Sequence, residues 1–176
     1  MSLFRDGSAM SRAFVREPDG DVPPEPFPEI PVPPPPNPVT RRGLALIEQA
    51  ITNLESQLNG SAGADPAEFE RLRRELRYWT ARQATAQLTH PPETLDAVGF
   101  GSRVTVGWPG RGNLELQIVG HDEADPSAGR IGWRAPVAAA LFGNGPGDEV
   151  EVSVGGRKLR LAILAVDNQT DGKAPA

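Results

Sequence analysis

The chain has 176 residues, a formal net charge of −5 and no cysteine. That length suits one domain, or a small domain with an accessory element. The acidic balance argues against free or sequence-specific nucleic acid as the main partner, and the missing thiols exclude disulfides and thiolate metal sites.

Residues 17–38, "EPDGDVPPEPFPEIPVPPPPNP", hold eleven of the nineteen prolines. Proline joins neither helix nor sheet ladders readily, and the segment has little to bury. Residues 1–40 therefore read as a disordered, polyproline-like arm. Phe27, Ile30 and Val32 are its candidate anchors if it docks on a partner of its own. The first twenty residues are broken by charges and lack a signal-peptide core. No apolar run reaches the length of a membrane span. Together these features read as a soluble, cytoplasmic protein without a membrane partner.

From Arg41 the pattern changes. Leu44, Ile47, Ile51, Leu54 and Leu58 recur at steps of three and four, and Phe69, Leu72, Leu76 and Trp79 repeat the spacing. Such stripes predict two helices. Joined by "NGSAGA", they fold back as an antiparallel hairpin over 41–89, with Leu58 facing Phe69 and Ile47 facing Trp79. The hairpin base, near Trp79 and Leu88, is expected to lean on the following domain. Arg71, Arg73, Arg74, Arg77 and Arg82 read as a solvated face, with pairs such as Glu70–Arg74.

Pro91 and Pro92 stop the second helix. Beyond them the period becomes two, at Val104/Val106/Trp108, Leu114/Leu116/Ile118, Val150/Val152/Val154 and Leu159/Leu161/Ile163. Short alternating runs predict a twisted antiparallel sheet. "APVAAALFG" predicts a short helix opened by Pro136 and closed by Gly143. The fold class is thus α+β: a helical hairpin (coiled coil), then a sheet domain over 95–167 with one short helix, then a flexible tail at 168–176. His90 and His121 stand apart and read as solvated loop side chains.

"VGFGSRVTV", "QIVGHDEADPSAGRIGW", "APVAAALFGNGPGDEVEV" and "GGRKLRLAILAV" occur in that order. Together they resemble the carboxy-terminal domain of the Gre family of bacterial transcription elongation factors, over residues 98–166. The resemblance implies a carboxy-terminal fold like that of FK506-binding proteins, docked on RNA polymerase core at the rim of its secondary channel. It also implies a coiled coil that enters the channel. In the family, acidic residues at the tip help hold an Mg²⁺ in the polymerase active site, and the polymerase then cleaves backtracked RNA. The ion is the polymerase's own, so the chain is expected to be neither an enzyme nor the carrier of a cofactor.

The family tip reads roughly D-L-x-E-N-A-E-Y, where this chain has D-P-A-E-F-E-R-L. That places Asp65, Glu68 and Glu70 at the tip with the same Asp-to-Glu spacing. The same residues also spell a helix start, with Asp65 as cap, Pro66 at the first position and Glu68 closing a capping box. The hairpin is also shorter than the family's coiled coil. Relatives with a shortened coiled coil, such as the regulator of nucleoside diphosphate kinase, look like channel occupants without transcript cleavage. The reading therefore favours occupancy without cleavage over a cleavage-type tip.

The candidate docking residues are Asp122, Glu123 and Asp125 of "HDEADP", which shape a turn and face a basic partner, and Trp133, Arg134 and Pro136 of "WRAP". There the family usually carries a polar residue and Ser before the Pro. A prolyl-isomerase reading from the fold alone would need several aromatics around one pocket, and the domain offers Phe100, Trp108, Trp133 and Phe142.

Overall fold

The computed structural model describes residues 28–60, 65–94 and 96–168. The arm before residue 28, with its candidate anchor Phe27, lies outside the described residues, as do 61–64 of the hairpin turn and the tail from 169.

Helix α1 spans Arg41–Gly60 and α2 spans Pro66–Ala84. Thr40 caps α1, its hydroxyl accepting the Gly43 amide at 2.9 Å, which satisfies a donor that the first helical turn leaves unpaired. Asp65 caps α2 by accepting the Ala67 amide at 3.1 Å, with Pro66 opening the helix. The apolar stripes meet as the heptad spacing predicts: Ile47, Leu54 and Leu72 are buried. Toward the tip the seam opens, and Phe69 keeps 38% of its surface exposed.

The sheet domain has five strands in the order β5-β4-β3-β7-β6. These are β3 (Arg103–Trp108), β4 (Gly112–Val119), β5 (Arg130–Gly132), β6 (Glu149–Val154) and β7 (Arg157–Asp167). The alternating residues Val104, Val106, Ile118, Leu161 and Ile163 are fully or almost fully buried. Helix α3 (Pro136–Leu141) presses Ala138 and Leu141 onto that face. The sheet is mixed rather than purely antiparallel, because β5 pairs parallel with β4. Three residues between "DPSAG" and "WRAP" carry too little alternation to announce β5.

A larger difference lies in the arm. Residues 37–39 form strand β1, paired parallel with β2 (Ala86–Leu88) just after α2. Pro38 fits because so short a strand needs few ladder bonds. Upstream, residues 28–36 lie along α2 and the sheet domain through polar contacts. The disordered reading of 1–40 therefore does not describe residues 28–40.

Candidate functional site

The hairpin tip presents its carboxylates already engaged. Glu68 receives both Nε and Nη2 of Arg71, at 2.9 and 2.6 Å, and Arg71 also reaches Glu75 at 2.6 Å. The Arg71 hydrogen bond holds the Glu68 carboxyl below its ordinary pKa. Glu68 thus reaches forward to an arginine instead of back to the Asp65 amide, so the capping box does not form; a charge-assisted fork outcompetes a neutral amide. Glu70 pairs with Arg77 at 3.1 Å, not with Arg74, and Arg77 also holds Glu29 of the arm at 2.6 Å. No group of three or more metal-binding side chains occurs among the described residues.

The acidic loop between β4 and β5 divides its residues between two tasks. Asp125 caps a 3-10 turn, Pro126–Ala128, accepting the Ser127 and Ala128 amides and the Ser127 hydroxyl. It also receives Arg130 at 2.7 Å. The Ser127 hydroxyl, foremost, keeps its carboxyl below the ordinary range. Asp122 and Glu123 turn inward instead. Asp122 accepts the Tyr78 hydroxyl at 2.5 Å and Arg82 Nε at 2.7 Å. Glu123 accepts the Thr40 hydroxyl at 2.5 Å and is 4% exposed. Asp122 thus faces Arg82 of the chain's own hairpin, and Glu123 faces the hydroxyl that caps α1.

The hairpin base is consequently a polar joint. Arg82 is 2% exposed, which corrects its placement on a solvated face. Besides Asp122 it donates from Nη2 to the Asn37 side-chain oxygen Oδ1 at 2.5 Å, while Asn37 Nδ2 donates to the Arg82 backbone carbonyl at 2.9 Å. Leu88, expected to lean on the sheet domain, is 46% exposed. The backbones approach closely here. A Cβ on Gly43 would sit 2.9 Å from Glu123 Oε2, and one on Gly120 would sit 2.8 Å from the Pro38 carbonyl oxygen. Tyr78, Arg82, Asn37 and Thr40 are residues that sequence reasoning missed. The available signal was Tyr78 and Arg82 four apart, on the same helix face.

Trp133 and Arg134 lie just before α3, with the guanidinium 4.7 Å from the indole centroid. Ala135 precedes Pro136 and supplies no side-chain cap. Arg134 donates to the Pro34 and Pro35 carbonyls at 3.1 and 3.4 Å. Trp108, Trp133 and Phe142 pack against the sheet core and lend the prolyl-isomerase reading no support.

The chain is similar to known proteins. A family model described as transcription elongation factor, GreA/GreB, C-term matches residues 92–168. The transcription elongation factor GreA of Desulfovibrio desulfuricans is 31% identical over 150 residues, covering 73% of this chain and 92% of the relative. This chain belongs to the GreA/GreB family. The GreA of Ruegeria pomeroyi is 29% identical over 150 residues, covering 74% of this chain and 96% of its own length. Among solved structures, GreA factor homolog 1 of Thermus thermophilus is 18% identical over 76% of this chain and 99% of its own, with a TM-score of 0.37. In this GreA/GreB family chain the matched segment contains the acidic loop and Trp133–Pro136, whereas the hairpin tip lies outside it.

Proposed function

We propose that this GreA/GreB family chain is an elongation regulator that docks on RNA polymerase core, occupies the secondary channel with α1 and α2, and supplies no cleavage chemistry. Its place of action would be the cytoplasm, and it would carry no cofactor of its own. One observation carries the reading. Both oxygens of Glu68 are held in the fork of Arg71, and Asp65 serves as a helix cap. A magnesium ligand must offer a carboxylate oxygen at about 2.1 Å, so Glu68 would have to give up an exposed pair of small worth and Asp65 a helix cap worth about 1 kcal/mol. The shortness of α1, 20 residues and about 30 Å long, supports the same reading.

The docking surface in this reading is reduced to Asp125, Trp133, Arg134 and Pro136, because Asp122 and Glu123 are buried at the joint, their exposures 6% and 4%. The rival reading is a cleavage factor whose tip donates Asp65 and Glu68, favoured by their three-residue spacing. Pull-down of core polymerase, and displacement of a full-length cleavage factor from it, test the docking. Failure of both defeats the proposal. Shortening of backtracked RNA, abolished by Asp65→Asn with Glu68→Gln, would favour the rival.

A further inference from the structure

The Pro-rich arm does not stop at β1. Working back from Asn37, Pro34 and Pro35 accept Arg134 of the sheet domain, Glu29 pairs with Arg77 of α2, and Pro28 accepts Arg74. Nine residues thus run from the face beside α3 up the side of the hairpin. Pro33, Pro34 and Pro36 share a groove with His121, Trp133 and Arg134. A proline-rich segment suits such a place: its carbonyls have no helix or sheet ladder to bond, and its fixed φ angles lower the entropy lost on docking. Arg134, stacked on Trp133, supplies the donor that those carbonyls need.

The occupied face is the one through which the chain would grip polymerase. We propose that residues 28–36 are an intramolecular strap over the Trp133–Arg134 face, which must lift before that face engages another protein. The proposal rests on the docking reading above. The contacts that hold the strap are weak enough to release: Arg77 and Glu29 are 45% and 64% exposed, and exposed ion pairs are worth little. The firm anchor lies elsewhere, at buried Asn37, so the strap can swing open while β1 stays in place. A protein whose competent state is only partly populated binds more weakly by that fraction.

The test uses the full chain carrying Glu29→Lys, Pro33→Gly and Pro34→Gly, with Glu29→Lys alone as a milder second variant. All three positions precede β1 and leave Asn37 in place. Fluorotryptophan is incorporated, and the Trp133 fluorine resonance is identified by its loss in Trp133→Phe. Binding to core polymerase is titrated in parallel. The expected result is a moved Trp133 resonance and an affinity raised by about threefold or more, the reciprocal of the wild-type open fraction, with Glu29→Lys shifting both the same way by less. An unmoved resonance overturns the strap. A moved resonance with unchanged or weaker binding overturns the gating and leaves docking standing. If neither wild type nor variant binds polymerase, the docking reading falls and takes the gating with it.

Discussion

Arg82 of α2 donates from Nε to Asp122 Oδ2 at 2.7 Å, and only 2% and 6% of the two side chains are exposed. This pair joins the hairpin to the sheet domain. Removing one partner of a buried pair strands the other charge, at a cost of about 3–5 kcal/mol. Asp122→Ala should therefore destabilise strongly, since Arg82 keeps only Asn37 among its side-chain partners here. The double variant Arg82→Met, Asp122→Leu should cost much less than the sum of its singles. Urea midpoints with unchanged slope would measure both effects; a loss under about 1 kcal/mol for Asp122→Ala would mean the joint is held otherwise.

Tyr78 supplies a pH prediction. Burial, then the hydrogen bond to Asp122 and the charge of Asp122, push its phenol up to about 12. The folded state therefore keeps the proton longer than the unfolded chain does. The associated stability is complete below the unfolded value of about 10 and declines as pH rises from there through about 12. Tyr78→Phe should flatten that decline. The chain has one tyrosine, so phenolate absorbance reports this group alone, and titration at an ordinary phenol pKa would contradict the prediction.

The sheet domain was legible because its alternation is strong: Val104, Val106, Leu161 and Ile163 fall on one face, and Pro136 and Gly143 bracket the helix. The hairpin stripes were equally plain. The hairpin base was not. Arg82 looks like four other arginines on α2, and Asp122 like its acidic neighbours. Only the fold brings residues forty apart within 2.7 Å. Asn37 was hidden in a proline run whose composition signals disorder, although a single buried amide bonded to Arg82 fixes its end of the arm. Pairing at the tip was ambiguous for a different reason: Glu68 can reach its own cap or Arg71, and spacing allows both.

Close approach at the joint gives a contrast between two glycines. Gly120→Ala would bring a methyl to 2.8 Å from the Pro38 carbonyl oxygen, a backbone atom that cannot swing away, and should cost about 1–3 kcal/mol by overpacking. Gly60→Ala, with nothing within 4 Å, should instead gain about 0.5 kcal/mol from reduced chain entropy. Thermal midpoints moving in opposite directions would agree with this; equal shifts would not.

At the tip, Asp65→Ala removes the α2 cap and should cost about 1 kcal/mol. Glu68→Gln breaks an exposed pair and should leave the unfolding midpoint nearly unchanged. Helical circular dichroism through the melt would separate the two. A larger loss from Glu68→Gln than from Asp65→Ala would reverse the roles assigned here.

The decisive experiment is a backtracked elongation complex given the chain alone, and then the chain together with a full-length cleavage factor. Channel occupancy without chemistry predicts no RNA shortening from the chain alone, and progressively less shortening by the cleavage factor as the chain is added. Shortening by the chain alone, or a cleavage factor undisturbed by its presence at saturation, would contradict it.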